Sequence, residues 1–316
     1  MPPSLLTRTT EAALGLLGPW LFLSLSTSFI PATISHVLRT QALSAALRTL
    51  LSPSRFRDAW FSQFWAYAGL GVRDGSGPRV LSLLEGRTSK GHVLASPTGP
   101  DAGVAGVVLE VGPGSGLWVD VFSARHGRGD QAGDDAQSSS ARGKITRVYG
   151  VEPNASHHAA LRRAVEAAGL QDVYEIVPVG IEDLSSTSAS ASAAVGARKK
   201  WEGSIEPGSV DCVVTILCLC SIPDPEQHIR ELYELLRPGG RWYVYEHVRC
   251  RYSWYMRVYQ RVINLIWPYF IGGCEMCRET EKSLRDTGPW AKIDIGQPPD
   301  EPWYHCLPHI LGVFTK

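Results

Sequence analysis

A chain of 316 residues is long enough for one large domain and an appendage, and 44% apolar residues can fill a sizeable core. Lysine plus arginine and aspartate plus glutamate each number 31, so the basic footprint of a nucleic-acid binder is absent, and a small or membrane-dissolved partner suits the balance better. The seven cysteines are odd in number and lack framework spacing, and Cys212, Cys218 and Cys220 share one apolar run; this pattern fits reduced thiols inside a cell rather than a disulfide scaffold.

From Ala12 to Leu38 there is no Asp, Glu, Lys or Arg, and Leu16–Ile30 is the apolar heart of that run. With its flanks it reaches the roughly 20 residues that span a bilayer. Arg39, Arg48, Arg55 and Arg57 follow it and only Arg8 precedes it, so the positive-inside rule leaves the C-terminal part in the cytosol. Residues 12–38 are therefore expected to attach the chain to an intracellular membrane. A buried core helix and a mitochondrial transit segment remain open alternatives, the latter because Glu11 is the one acid among residues 1–57.

Residues 40–70 read as amphipathic helix carrying Phe56, Trp60, Phe61, Phe64 and Trp65, a stripe that packs on a core or lies on a membrane surface. Residues 71–103, rich in Gly and Pro, read as a linker with one short helix at Val80–Leu84. The remaining residues, 104–316, form one domain in which short apolar runs alternate with helical stretches. Strands are expected at Val107–Val111, Arg147–Glu152, Tyr174–Val179, Val210–Leu217, Arg241–Glu246, Ala291–Ile295 and His309–Thr315. Asn154 is expected to cap the helix carrying Leu161 and Val165, which Gly169 ends, and Asp224-Pro225-Glu226-Gln227 to start a helix running to Arg237. An aromatic-rich helical stretch covers 253–270. Alternation of this kind implies an α/β fold with a doubly wound, mostly parallel sheet and helices on both faces. Two polar, low-complexity stretches, 125–144 and 185–200, are read as surface insertions.

Glu110-Val111-Gly112-Pro113-Gly114-Ser115-Gly116 directly follows the first of these strands. Its glycines let the backbone turn tightly and approach a ligand at the C-terminal edge of the sheet. The acid before the first glycine suits the cationic amino-acid end of S-adenosylmethionine better than the pyrophosphate of a dinucleotide. Glu152, in Gly150-Val151-Glu152-Pro153-Asn154, ends the next strand and can accept from both ribose hydroxyls. It lies 36 residues past Gly116, against about 20 in such folds, and removing the 125–144 insertion restores the spacing. Gly180-Ile181-Glu182-Asp183 follows the third strand; a carboxylate there can accept from the adenine amino group while Ile181 packs against the ring. Leu217 and Cys218, at the end of the fourth strand, complete the expected cofactor contacts.

This order of motifs resembles the class I S-adenosylmethionine-dependent methyltransferases, over about residues 104–316. The resemblance implies a Rossmann-like sheet of seven strands, with the cofactor across the first two strand ends. Leu217–Ile222, Leu236–Val248, Gly272–Cys274 with Arg278-Glu279, and Pro308–Gly312 look like the membrane-anchored methyltransferase-like proteins that include mammalian thiol S-methyltransferases. Two positions depart from that family: Pro113-Gly114-Ser115 stands where Cys-Gly-Thr is usual, and Glu152 where the family has Asp. The resemblance implies methyl transfer to a small, apolar acceptor, a thiol first of all, on the cytosolic face of endoplasmic reticulum or lipid droplet. A quinone-precursor C-methyltransferase, which a mitochondrial location would favour, and a membrane-bound scaffold without turnover are the rival readings.

A thiol of pKa about 8.5 is already a few per cent thiolate at neutral pH, so a weak base suffices. His247 is the candidate base or orienting group, with Glu246 beside it, and Ser221, Cys274 and Arg278 are candidates for the substrate pocket. Trp254, Tyr255, Tyr259, Trp267 and Tyr269 make either an apolar pocket wall or an ordinary packed helix. Cys274-Glu275-Met276-Cys277 has the spacing of half a zinc site that His305, Cys306 and His309 would have to complete; with a single Cys pair, no metal is expected.

Overall fold

The computed structural model describes residues 5–126, 144–185 and 201–316. Most of both expected insertions, residues 127–143 and 186–200, lies outside the described residues. The chain opens with four helices: α1 (Leu5–Ser28), α2 (Ile30–Thr40), α3 (Leu43–Leu51) and α4 (Pro53–Leu84). A small antiparallel hairpin, β1 (Thr88–Ser89) and β2 (His92–Val93), leads into the sheet. There follow β3 (Gly106–Val111), α5 (Val119–His126), β4 (Ile145–Val151), α6 (His158–Ala167), β5 (Tyr174–Val177) and β6 (Val210–Ile216). The chain closes with α7 (Pro225–Leu235), β7 (Leu236–His247), α8 (Trp254–Asn264), α9 (Trp267–Phe270), α10 (Thr280–Asp286), β8 (Lys292–Gly296) and β9 (His309–Thr315).

Seven strands form one sheet in the order β5-β4-β3-β6-β7-β9-β8. The first five are parallel, and β9 runs antiparallel to both its neighbours. The chain reverses its direction of travel across the sheet between β3 and β6, which makes their C-terminal ends the crevice where ligands bind in such sheets. Both faces are buried, as parallel sheets require. Leu109, Val111, Val213, Trp242 and Val244 pack on one face, and Val108, Cys212, Val214, Tyr243 and Tyr245 on the other, following the two-residue period of the strands.

Over the C-terminal edge lies a third apolar layer. Leu23 of α1, Trp60, Phe64 and Ala68 of α4, Met256 and Ile263 of α8 and Trp267 of α9 pack there with Cys220, Cys250, Cys274 and Cys306. Burying each such large side chain contributes about 1.5–3 kcal/mol. Polar bonds fix the seam: the Trp60 indole donates to the Ser26 carbonyl at 2.8 Å, and the Ser26 hydroxyl to the Phe270 carbonyl at 2.9 Å.

Several elements differ from the sequence reading. The supposed linker is helical as far as Leu84, so α4 is one helix of 32 residues that includes Val80–Leu84, and only residues beyond it form the hairpin and a loop. Tertiary contacts override the helix-breaking composition there: Gly69 lies against Leu117, and Arg73 grips Asp120 through two bonds of 2.9 and 2.6 Å. Asn154 does not cap α6; its side chain accepts from Ser156 N in a turn ahead of the helix, and His157 occupies the cap position. Asp224 precedes α7 in a left-handed conformation (φ 42°) with no side-chain cap bond. That helix stops at Leu235, before Arg237, because Leu236–Gly240 already belong to β7.

Candidate active site at the β3–β6 crevice

The glycine turn after β3 has the conformation only glycine takes without strain: Gly112, Gly114 and Gly116 all have positive φ, from 58 to 86°. A Cβ at Gly112 would meet the Cys218 Cβ at 2.8 Å, so this position needs glycine for space as well. At Gly114 nothing lies closer than the Trp65 ring at 3.8 Å, which leaves the turn open to a ligand approaching its backbone.

Two carboxylates hold this turn. Glu152, at the end of β4, accepts the Gly114 N–H and the Asn154 N–H, both at 2.9 Å. Glu110 is paired with Gly150 and Val214 in the strand register and accepts the Tyr174 hydroxyl at 2.6 Å. Burial is the largest influence on both and lifts each to about 7; Glu152 adds to the rise of Glu110, and Asp58 of α4 to that of Glu152. Carboxylates that repel in succession, Asp58 and Glu152, then Glu152 and Glu110, suit a ligand that brings positive charge and hydroxyl donors. S-adenosylmethionine has both, so the residues present fit it, and Glu110, Glu152 and Gly112–Gly116 are the groups that would hold it.

Of the other expected cofactor contacts, Pro113 and Ser115 lie within the turn, and Pro153 follows Glu152 directly. Gly180 precedes a short 3-10 turn, Ile181–Asp183. Ile181 is buried in the core with Val179 and Leu184, while Glu182 is exposed and lies 3.9 Å from His228. Leu217 adopts φ 54°, an uncommon strain for a branched residue, and donates its N–H to the Tyr245 carbonyl. That kink turns the chain after β6 so that Cys218 lies over Gly112.

At the end of β7, Glu246 is fully buried and accepts the N–H groups of Cys218 and Leu219, both at 3.1 Å. It is a positioning residue for the loop after β6 rather than a base open to substrate. Burial lifts it to about 7, and those N–H bonds oppose the rise. His247 is buried with Nε2 2.9 Å from the Cys274 sulfur. Burial pulls its imidazole down, but Cys220, with a contribution from Glu246, outweighs this and leaves it above its ordinary value. Ser221 Oγ lies 3.6 Å from the Cys220 sulfur. Arg278 is spent on backbone: it donates to the carbonyls of Leu219 (2.8 Å) and Ile222, tying the loop after α9 to the loop after β6.

The half zinc site read from Cys274 and Cys277 is not brought together with His305, Cys306 and His309. Cys274 groups instead with Cys220 and His247, and His305 and His309 with Glu301. Of the five aromatics on and after α8, Trp267 is buried, while Trp254, Tyr255 and Tyr269 face outward. The sequence reading missed the roof. Asp58, Phe61, Ser62 and Trp65 of α4 cover the crevice: Asn154 donates to the Asp58 carbonyl, Ser62 meets His157, and the Phe61 ring lies against Gly272. Their spacing, 58, 61, 62, 65, with Gly69 one turn on, is one helical face and was the available signal. A cavity of about 370 Å³ lies elsewhere, lined by Arg249, Arg251, Arg257 and Arg285 with Glu279 and Asp286, none of them a residue of this site.

The sheet order, the glycine turn and the acids at successive strand ends define a class I methyltransferase domain, and the comparisons agree. A methyltransferase-domain family model matches residues 85–280, and the chain belongs to that family, with S-adenosyl-L-methionine as the methyl donor its domain takes. Thiol S-methyltransferase TMT1B of Homo sapiens is 36% identical over 110 residues, 34% of this chain and 45% of that protein. Thiol S-methyltransferase TMT1A of Homo sapiens is 37% identical over 113 residues, 35% of this chain and 46% of that protein. The matched stretch therefore spans less than half the length of these curated relatives. An O-methyltransferase family protein from Burkholderia thailandensis shares the fold, with a TM-score of 0.50 at 14% identity over 95% of this chain and 72% of its own.

Proposed function

We propose that the chain transfers a methyl group from S-adenosyl-L-methionine to the sulfur of a small, apolar thiol. The observation that carries this reading is the family of the relatives, which are named thiol S-methyltransferases. The lining of the crevice supports it. Beyond the glycine turn lie Cys218, Cys220 and Cys274, and the layer above them is made of Trp267, Met256, Met276 and the α4 aromatics. Such a wall is soft and apolar, and it favours a polarisable sulfur acceptor over a sugar or nucleotide.

The donor, when bound, supplies a methyl group already activated by positive charge on sulfur. The residues of this chain align and exclude. Gly112–Gly116 and Glu152 hold the donor's position, Leu217 and Glu246 fix the loop that meets it, and Phe61 and Trp65 keep water out. His247 is the polar side chain at the acceptor end, positioned to orient a sulfur.

We place the chain on an intracellular membrane. The stretch Thr9–Thr40 is long and apolar enough to cross one, with a mean hydropathy of 1.6 in its most apolar part. One side of α1 packs on the domain through Phe22 and Leu23, while Leu14, Leu17, Leu21 and Leu25 are exposed along the other. A lipid-facing surface beside the acceptor layer suits a substrate that partitions into lipid.

The acceptor reading is tested by offering matched pairs, a small aromatic thiol and the phenol of the same skeleton, to detergent-solubilised full-length protein. Mass spectrometry should find the S-methyl product in excess; equal or preferential O-methylation would reject a thiol-specific site.

A further inference from the structure

Cys220, His247 and Cys274 come from three separate elements: the loop after β6, the last residue of β7 and the loop after α9. Their donor atoms, two sulfurs and one imidazole nitrogen, all lie within 4.8 Å of one another, and all three side chains are buried. Convergence of three soft donors at one buried point is unlike ordinary core packing, where cysteines are scattered as small apolar residues. The Cys274 sulfur is set up to accept: the Trp267 indole N–H donates to it at 3.2 Å, and His247 Nε2 stands 2.9 Å away. His247 Nδ1 and Glu246 Oε2 are buried and have no hydrogen-bond partner among the described residues.

We propose that Cys220, His247 and Cys274 are three ligands of a zinc-type divalent cation, and that its fourth position takes the acceptor thiol. Zinc binds cysteine sulfur at about 2.3 Å and imidazole nitrogen at about 2.0–2.1 Å, so shared donors stand roughly 3.5–4 Å apart, a small spread from the arrangement here. Three protein ligands with one open position is the pattern of a catalytic rather than a structural site. Two thiolates and a neutral imidazole cancel the charge of the cation. The entering thiol gives up its proton to solvent and binds as thiolate, leaving the centre with one net negative charge. In this proposal that charge draws the donor's positive sulfur toward the acceptor; Cys218, two residues from Cys220, lies over Gly112 of the glycine turn. The sulfur–carbon bond then forms as the donor's own sulfur–carbon bond breaks; the bonding pair stays on the donor's sulfur, and both charges are neutralised. Activation by a cation also removes the need for a free general base at the acceptor end, where, among the described residues, Glu246 is committed to backbone N–H groups and His247 to the sulfurs.

The claim about the fourth position rests on the thiol reading above, whereas the three-ligand site does not. The test separates them. Full-length protein in detergent, reduced and then dialysed against Co2+ as probe, is assayed for metal content and for sulfur-to-cobalt charge-transfer absorption. One Co2+ per chain with that absorption is expected, and the affinity should fall roughly hundredfold in Cys220→Ser and in Cys274→Ser. S-adenosylhomocysteine binding by both variants checks that they fold. His305→Ala, which touches the separate Glu301–His305–His309 group, should keep the absorption. Addition of 2-mercaptoethanol should shift the charge-transfer band. Metal binding without that shift would overturn the fourth-position claim and leave the thiol reading untouched. Absence of bound metal in folded protein, retention of it in both cysteine variants, or a Cys220–Cys274 disulfide in its stead would overturn the site itself.

Discussion

The Glu152 carboxylate accepts the Gly114 N–H at 2.9 Å and so ties the end of β4 to the turn that leaves β3. In the function proposed above the same carboxylate also takes the donor's ribose, which gives it two jobs, holding the turn and holding the ligand. Glu152→Gln keeps an acceptor but removes the charge. Affinity for S-adenosylmethionine, measured by calorimetry, should fall about tenfold or more while the fold survives. An unchanged affinity would show that Glu152 serves the turn alone.

The glycines of that turn should separate stability from binding. Gly112→Ala places a Cβ 2.8 Å from Cys218 at φ +67°, so it should destabilise the chain by about 1–3 kcal/mol. Gly114→Ala has room, with Trp65 at 3.8 Å, and should cost only about 1–2 kcal/mol for its φ of +58°. Its larger effect should be on donor affinity, because the added methyl occupies the ligand's approach. Thermal melts with and without S-adenosylhomocysteine read both quantities; equal loss of both in the two variants would contradict the assignment.

Burial holds Glu110 and Glu152 at about 7 in the folded chain, against an ordinary value of 4.5. Between those values the folded chain keeps protons that the unfolded chain has released. These two groups therefore favour folding at low pH, and their contribution is lost as pH rises through about 7. Binding of a cationic donor runs the other way, since it needs them ionised. Affinity for S-adenosylmethionine should rise between about pH 6 and about pH 8, with proton release on binding. Calorimetry in buffers of different ionisation enthalpy would detect the release; a pH-independent affinity would mean the two acids do not face the charge.

Trp65 should act as the roof of the crevice. Trp65→Ala removes the ring above Gly114 and opens the site to water, so turnover should fall more than tenfold with a modest loss of stability. Stopped-flow dissociation of S-adenosylhomocysteine should be faster in the variant. Unchanged dissociation would place the ring outside the site.

Much of this fold could be read from periodicity. The last strand, His309–Thr315, was placed to the residue and five others to within two residues at each end, because each short apolar run is bounded by glycine, proline or polar residues; β7 alone begins five residues before its expected start at Arg241. The acids at the strand ends were legible because the chain order of β3, β4 and β5 is also their order in space. The continuity of α4 past residue 70 was not, since its glycines and Pro78 argue locally for a loop, while contacts of Gly69 with Leu117 and of Arg73 with Asp120 hold it as a helix. Nor could spacing show that Cys274 meets Cys220 and His247 rather than Cys277, because that meeting depends on how two loops fold over one strand end. Glu246 looked like part of a base for the same reason: its bonds to Cys218 and Leu219 are set by the turn at Leu217, a conformation the sequence does not advertise.

The most direct test of the proposed activity is labelled-methyl transfer from S-adenosylmethionine by detergent-solubilised full-length protein. The acceptors would be a panel of small thiols, phenols and quinol precursors, with Gly114→Arg as the blank. Turnover on the thiols that the blank lacks is the expected result. Turnover confined to the quinol precursors, or none on the whole panel with donor binding intact, would contradict it.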